Sequence, residues 1–528
     1  MTPPKKKRET GSESGTWVLV ATILGSSMVF IDGTVVNVAL PVMQRDLHAT
    51  MADIQWVVEA YALFLSSLIL VGGALGDRYG RKLMFTIGVA GFVVSSVACG
   101  FAHSVVMIAV ARSIQGVSSA LMTPESLAIL SAYFTGAKRA RAIGIWSSAT
   151  ASTALFGPAL GGWIVDHGGW PWIFFINVPI GIAVLALALA HVPESRDPTC
   201  APLDWIGASL GTFALGAIVY GLILAGTAGE SAVKAFTWTI VGCAVLVVFI
   251  LVEKRTKAPM MPLEIFKSKV FSGANILTFL LYGALTESTY FVAFDMIQVD
   301  RYTPTQAGLA MLPFIGLIVL LSRWSGGLVA KLGTRPLLVV GPAIAAIGCA
   351  LLALPGVGGS YWTTFFPAFV TFGLGMAITV APLTSAVMDA VEERRLGIAS
   401  AINNAVSRTA GLIAIAAMSA VVVAIYRVQL EHYLAVLDSS AHWPDAILQQ
   451  LRSTSDAMAA APIPQSATGA MTNEIRDAMN RSFVYAFRVA ALIGAAMAAL
   501  SSVIAAFTIG GMTPKEKKAK SSASRTTS

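Results

Sequence analysis

The chain contains a series of apolar segments, each about twenty residues long and almost free of charged side chains, beginning at Trp17. At a rise of about 1.5 Å per residue, a helix of this length crosses the roughly 30 Å hydrocarbon layer of a bilayer. Only 12% of the 528 residues are charged, whereas a soluble protein carries about 25%. Strands of a membrane β-barrel would alternate apolar and polar residues, which these segments do not. The sequence therefore predicts an all-α polytopic membrane protein.

Fourteen such segments can be distinguished. The predicted helices cover 17–40, 56–75, 83–102, 105–133, 143–165, 172–191, 205–224, 236–252, 271–297, 308–330, 337–354, 362–387, 396–426 and 483–509. An even number of spans places both chain ends on the same side, and most of the 36 Lys and Arg residues fall in segments on that side. Because cytoplasmic loops are enriched in basic residues, we expect both termini in the cytoplasm and the polar segment 427–482 outside.

The formal net charge of +8 is also explained by membrane topology, because the basic residues flank apolar segments instead of clustering on one domain. We therefore expect no nucleic-acid partner. The four cysteines, Cys99, Cys200, Cys243 and Cys349, are far apart, so we expect neither a disulfide framework nor a metal site. The sequence contains no His-rich cluster or nucleotide-binding loop, and we expect no cofactor.

An internal repeat divides the chain into two halves. Residues 72–82 (GGALGDRYGRK), at the end of the second predicted helix, are echoed by residues 326–335 (GGLVAKLGTR), at the end of the tenth. Transporters built from two such repeats bind their substrate between the halves, near the middle of the membrane. The repeat therefore indicates a transporter with a central site.

Several motifs resemble those of the major facilitator superfamily, and specifically of its fourteen-helix drug:proton antiporter branch. They are 31–41 (IDGTVVNVALP), 73–82 (GALGDRYGRK), 112–116 (RSIQG), 156–162 (FGPALGG) and 172–181 (WIFFINVPIG). The resemblance extends over nearly the whole chain. It implies two six-helix bundles, at 17–191 and 254–511, joined by two linking helices within 192–253, with cytoplasmic tails at 1–16 and 512–528.

Ionisable residues within the predicted helices are the candidates for proton coupling, because burying a charge in hydrocarbon is costly and such residues are usually functional. Asp32, Glu59 and Arg112 all fall in the outer half of the first bundle. The resemblance links the arginine of the 112–116 motif to proton coupling, and we expect Asp32 to exchange a proton with the medium. Alternatively, Asp32 and Arg112 form a fixed ion pair, and Glu59 extends to the outer surface.

Further polar residues could line the substrate cavity. These candidates are Asn37, Gln115, Glu125 and Glu287, although each of the two glutamates could instead be a capped or solvated carboxylate. No histidine lies in the middle of a predicted helix, so carboxylates are the proton carriers that the sequence offers.

Two motifs are candidates for controlling the conformational cycle. In the gating motif, Gly73, Asp77, Arg78, Gly80 and Arg81, we expect Asp77 to face the N-terminal end of the thirteenth helix, where a carboxylate is stabilised. Its arginines could equally be anchors on the cytoplasmic side. In the antiporter motif, Gly157, Pro158, Gly161 and Gly162, the glycines allow close helix contact and the proline a bend, with simple packing as the alternative.

These features predict a proton-coupled antiporter in the cytoplasmic (inner) membrane that expels lipophilic, cationic compounds. Its partners would be the small substrate, protons and the bilayer. The transport unit would be a monomer, and the resemblance allows a periplasmic adaptor protein. The alternatives are uptake by symport, export of a metabolite or lipid, and a membrane-embedded lipid-modifying enzyme. No paired carboxylates or nucleotide loop on a common membrane face support the enzyme.

Overall fold

The computed structural model describes residues 12–197, 203–227, 229–256, 259–392, 395–441 and 443–510. The predicted tails, apart from residues 12–16, and Cys200 lie outside these ranges. The described residues form helices and no β-strand. The helices are α1 (Ser12–Asp46), α2 (Met51–Tyr79), α3 (Arg81–Gly100), α4 (Val105–Tyr133), α5 (Gly136–Gly168), α6 (Trp172–Phe175), α7 (Asn177–His191), α8 (Trp205–Gly226), α9 (Ala232–Arg255), α10 (Lys269–Phe294), α11 (Pro304–Ala310), α12 (Leu312–Leu332), α13 (Thr334–Leu351), α14 (Phe365–Asp389), α15 (Leu396–Ala441), α16 (Asp445–Ser453) and α17 (Gly469–Thr508).

The predicted all-α polytopic fold is confirmed. Within the described residues, thirteen helical segments are long and apolar enough to cross a membrane. The fourteenth predicted span lies in α5, a 33-residue helix whose many small and polar residues lower its hydropathy. This helix packs against α1 on one side and α11 on the other, so much of its surface faces protein.

The helices pack as two groups. The first half is built from α1–α7, and the second from α10–α15 and α17. Between them, α8 pairs with α9 and contacts α2 of the first half and α15 of the second. This position supports our proposal that the segment 192–253 links two bundles.

The segment 427–482 is more ordered than the loop expected from its polarity. Helix α15 continues to Ala441, and α16 buries Ile447, Leu448 and Leu451 along one face. Three apolar residues at this spacing form one side of a short amphipathic helix. Such a helix is too short and too polar to be predicted from the length of apolar segments. Below, the end of the molecule that carries this segment is called the outer end, following the predicted topology.

Candidate functional site

A buried ion pair lies in the first half, between α1 and α4. Arg112 Nη1 donates to Asp32 Oδ2 at 2.5 Å, and both side chains are almost completely buried. The Nε atom of Arg112 donates to the carbonyl of Val57 on α2 at 3.0 Å, and Nη1 also donates to Gln115 Oε1 at 2.6 Å. The arginine therefore ties three helices together through one guanidinium group.

The second oxygen of Asp32 is also bonded. Gln115 Nε2 donates to Asp32 Oδ1 at 3.2 Å and to Ser96 Oγ at 2.8 Å. Asn177, at the start of α7, donates to the same carboxylate oxygen at 3.4 Å and to Ser96 Oγ at 3.3 Å. The pair is thus enclosed by hydrogen-bonding partners from three further positions, as a buried charge requires.

Ser96, Asn177 and Tyr61 are parts of this site that were not among the predicted candidates. The guanidinium of Arg112 lies 4.1 Å from the centre of the Tyr61 ring, in the geometry of a cation–π contact. Asn177 lies in the 172–181 motif, which could have indicated it. The sequence around Ser96 and Tyr61 has no comparable signal, because their role depends on how α2 and α3 pack against α4.

Glu59 is buried on α2, not extended to the outer surface. Its carboxyl group lies beside the side chain of Gln55 on the same helix and has no cationic partner in the described part of the chain. It also lies near Tyr290, on α10 of the second half, whose hydroxyl has no hydrogen-bond partner among the described residues. Glu59 is therefore a buried carboxyl group without a described cation at the seam between the halves.

Glu287 is buried within the second half. Its Oε1 atom accepts a hydrogen bond from Ser288 Oγ at 3.0 Å, while Oε2 has no partner among the described residues. A Cβ atom added to Gly494 on α17 would lie 2.1 Å from Glu287 Oε1, so this carboxyl group packs directly on a glycine. In this state it is fully buried and does not line the open cavity described below.

Glu125 and Asn37, the other predicted cavity residues, lie apart from each other. Glu125 is buried on α4 against Gly76 of α2, near the gating motif, and its carboxylate oxygens have no partner among the described residues. Asn37 is half-buried on α1, between the ion pair and the outer end. Of the cavity candidates, the structure thus brings only Gln115 to the Asp32–Arg112 pair.

The gating motif forms its closest contacts within the first half. Arg81 pairs with Asp77 at 2.6 Å, instead of the expected contact between Asp77 and the start of α15. Gly80 adopts a φ of +127°, a conformation that L side chains rarely adopt. Gly73 packs on Pro124 of α4, and Arg78 lies over the neighbouring ring of Tyr79.

Glu194, which sequence analysis missed, caps the helix that follows the gating motif. Its carboxylate accepts hydrogen bonds from the backbone N–H groups of Lys82 at 3.1 Å and Leu83 at 3.2 Å, in the first turn of α3. A negative charge at this position is favoured by the helix dipole and by the unpaired N–H groups. The segment after α7 therefore holds the gating loop in place.

The antiporter motif closes the outer end of the interface between the halves. A Cβ atom added to Gly162 would lie 2.1 Å from the carbonyl oxygen of Pro304, and one added to Gly308 would lie 2.1 Å from that of Pro158. Gly157 and Gly161 pack against Thr34 and Val35 of α1, where an added Cβ atom would also lie under 3.0 Å from its neighbours. At Gly162 and Gly308, glycine is required because the backbones of α5 and α11 are in direct contact.

Polar contacts support the same closure, and the inner end is open. Gln298 Nε2 of the second half donates to Gln44 Oε1 of the first at 2.8 Å, and Asp166 accepts from the backbone N–H of Thr305 at 2.9 Å. On the inner half of α5 an open cavity of about 1120 Å³ is lined by Arg141, Gly144, Ile145, Ser148, Ala149 and Ser152. The outer end is therefore closed, and the inner half of α5 borders an open cavity.

Comparisons with known proteins agree with this architecture. The family model described as Major Facilitator Superfamily matches residues 22–415. The chain is 37% identical to the Multidrug resistance protein Stp of Mycobacterium tuberculosis (strain CDC 1551 / Oshkosh), over 79% of this chain and 77% of that protein. It is 30% identical to the Tetracenomycin C resistance and export protein of Streptomyces glaucescens, over 94% and 93% of the two chains.

A solved structure shares the fold at low sequence identity. It is a bacterial homolog of the human lysosomal transporter Spinster, in an inward-facing and unoccupied conformation. The TM-score is 0.63 and the identity 16%, with 93% of this chain and 98% of that chain covered. At this identity the likeness concerns the fold alone.

Proposed function

Because the chain belongs to the Major Facilitator Superfamily, we propose that it is a proton-coupled antiporter that exports lipophilic drugs from the cytoplasm. The observation that carries this proposal is the Asp32–Arg112 pair, a buried carboxylate and its cation in the first half of a two-bundle transporter. The names of the relatives support the substrate class, since they refer to multidrug resistance and to export of tetracenomycin C.

In the proposed cycle, Asp32 is the proton carrier and Arg112 its partner. When Asp32 is ionised, the ion pair and its hydrogen bonds hold α1, α2 and α4 together, as in this inward-open state. Protonation would remove the negative charge and weaken the bond to the guanidinium, which changes how these helices pack. Proton binding is thereby connected to the relative stability of the inward-open and outward-open states.

The driving force is sufficient for export against a gradient. One charge that crosses a potential of 100 mV contributes about 2.3 kcal/mol, and every 1.4 kcal/mol corresponds to a factor of ten in concentration. One proton per cycle would therefore support a concentration ratio of several tens for a neutral compound.

We further propose the topology predicted from the charges, with both termini in the cytoplasm and the protein in the cytoplasmic membrane. A monomer would suffice for transport, since the cavity and the ion pair lie within one chain. A periplasmic adaptor would contact the outer end, to which the segment 427–482 contributes.

The preference for cations predicted from sequence requires a carboxylate that can attract a positive charge. In the inward-open state Asp32 already has Arg112 as its partner, and Glu59 and Glu287 are buried away from solvent. A cationic drug would therefore compete with Arg112 for Asp32. Transport of tetraphenylphosphonium, a lipophilic cation, tests this part of the proposal separately from proton coupling.

The test is transport by the purified protein in liposomes, with an imposed pH gradient. We expect the wild type to move a lipophilic drug such as puromycin against its gradient and to acidify the compartment from which the drug is expelled. Asp32→Asn should abolish the pH-driven component of transport. Ser152→Ala, which removes a hydroxyl group from the open cavity, should keep this component. A transport rate that does not depend on the pH gradient would contradict the antiport proposal. If Asp32→Asn still showed pH-driven transport, the proton site would be Glu59, Glu125 or Glu287 instead.

A further inference from the structure

One arginine within the predicted spans, Arg408, has no hydrogen-bond or ion-pair partner among the residues that the structure describes. The predicted spans contain four arginines. Of these, Arg112 pairs with Asp32, and Arg488 donates a hydrogen bond to the carbonyl of Pro355 at 3.0 Å. The side chain of Arg323 lies outside the described part of the structure. Arg408, on α15, donates no hydrogen bond and forms no ion pair with any residue that the structure describes. The described part of the chain therefore leaves the charge of Arg408 without a compensating anion.

Arg408 lies at the seam between the two halves. Tyr61 on α2, whose ring also contacts Arg112, is the titratable side chain near Arg408 among the described residues. One turn earlier on α15, Ala405 packs against the apolar core of the first half. Arg408 thus lies across the seam from the Asp32–Arg112 pair.

Arg408 lies about midway along the part of α15 that would cross the membrane. It follows the first residue of α15 by about 18 Å along the helix, which is close to the middle of a bilayer. Gly397, Asn404 and Arg408 lie on the same helical face, and the first two are exposed while Arg408 is half-buried. This face leads from the inner end of the molecule to the guanidinium group.

The charges around the seam add up to a positive site. Asp32 and Arg112 compensate each other, and Glu59, which is buried without a cation, is most stable when neutral, so Arg408 contributes one unmatched positive charge. An arginine away from bulk water attracts anions strongly, because its electrostatic interactions are weakly screened there. Its planar fork of N–H donors matches the two oxygens of a carboxylate.

We propose that Arg408 is a binding residue for an acidic group on the exported compound. The substrates of this subsite would be lipophilic molecules that carry a carboxylate or an ionised phenol. The inference rests on the proposed export function and names a substrate class for it. The subsite is separate from Asp32, so cationic and acidic compounds would use different residues of the same transporter.

Export of an acidic compound also has a distinct electrical signature. Moving one negative charge out of the cell is equivalent to moving one positive charge in, so each cycle transfers one more charge than with a neutral compound. An inside-negative membrane potential therefore assists the export of an acid. A positive binding site suits an exporter for this reason.

The binding test compares an acid with its neutral ester. Dansylglycine and dansylglycine methyl ester differ only at the carboxyl group, and the fluorescence of both reports binding to the purified full-length protein. We expect the wild type to prefer the acid and Arg408→Ala to reduce the acid-to-ester preference by about tenfold or more, the usual effect of losing a charged hydrogen bond. Arg408→Lys, which keeps the charge but not the fork, should fall between them.

Other outcomes would overturn this assignment. An equal loss of affinity for the acid and the ester would indicate that Arg408 acts in the conformational cycle. An unchanged acid-to-ester preference, or no measurable binding of the acid by the wild type, would rule out recognition of the acidic group by Arg408. An effect seen only with phosphatidylglycerol present would identify a lipid headgroup as the ligand. Failure of the export proposal would look different, since the acid would bind in an Arg408-dependent way without being transported in response to a pH gradient.

Discussion

The two halves share a helical architecture but differ in the partners of an arginine within a membrane span. In the first half, Asp32 and Arg112 lie 2.5 Å apart, and both carboxylate oxygens have donors. In the second half, Arg408 has no carboxylate near it among the described residues. Buried carboxyl groups without an ion pair in the described part of the chain occur in both halves, at Glu59 and Glu125 in the first and at Glu287 in the second. The halves therefore differ in their arginines, because Arg112 is paired, whereas Arg408 leaves a position that an acidic substrate group could occupy.

This difference follows from where the residues lie. Arg112 and Gln115 are three positions apart on α4, so both reach Asp32 on the neighbouring helix. Glu287 instead points towards Ser288 and Gly494, within the second half, while Arg408 lies on the face of α15 towards the seam. A duplicated fold can thus keep its helices and divide the polar functions between its halves.

The largest expected effect contrasts the two arginines. Arg112→Ala leaves Asp32 as a buried carboxylate without its cation, which typically costs about 3 to 5 kcal/mol of stability. Arg408→Ala leaves no carboxylate unpaired, so we expect a change of less than about 1 kcal/mol. Thermal unfolding of both variants in detergent measures the difference, and Asp32→Asn combined with Arg112→Ala should recover part of the loss. Equal destabilisation would remove the contrast between the halves.

The second prediction contrasts the two carboxyl groups. Asp32→Asn leaves Arg112 buried with a weaker partner and should destabilise the protein by about 2 kcal/mol or more. Glu287→Gln should change stability by less than about 1 kcal/mol, because a carboxyl without a cation in an apolar site is most stable when neutral, and glutamine has nearly its shape. The same unfolding assay applies. Strong destabilisation by Glu287→Gln would indicate a cationic partner for Glu287.

The third prediction concerns the outer closure, where the halves should behave alike. Gly162→Leu in the first half and Gly308→Leu in the second both place side-chain atoms against a backbone carbonyl, which costs about 1 to 3 kcal/mol in the closed arrangement. We expect both to favour outer opening and to slow the labelling of Ser148→Cys in the inner cavity severalfold. Gly327→Leu, at a position with open space around it, is the matched control. An effect from only one of the two would show an asymmetric closure.

The smallest expected effect concerns the gating motif. Asp77 and Arg81 are partly exposed, so Asp77→Asn should change stability by only about 0.2 to 1 kcal/mol. We nevertheless expect it to slow transport severalfold, because Asp77 is proposed to form a contact between the halves when the inner end closes. Lys331 stands at the corresponding position of the second half, and Lys331→Gln should leave the rate nearly unchanged. Equal transport rates for the wild type and Asp77→Asn would limit the role of Asp77 to membrane topology.

The sequence by itself determined the helical fold of this protein. Hydrophobic length and the placement of basic residues are properties of neighbouring residues, so each predicted span overlaps a helix of the structure, although several ends differ by a few residues. The motifs also identified Asp32, Arg112 and the glycines of the antiporter motif. These glycines can be recognised because close helix contact excludes larger side chains wherever it occurs.

Only the tertiary structure decided which groups meet. Asp32 is 80 positions from Arg112, and Gln44 is 254 positions from Gln298, so neither contact follows from local spacing. The same holds for the cap that Glu194 forms on α3, for the helical order of 427–482 and for the absence of a carboxylate beside Arg408 among the described residues. Helix formation depends on interactions within a few residues, whereas the compensation of a buried charge depends on how distant helices rotate and pack against each other.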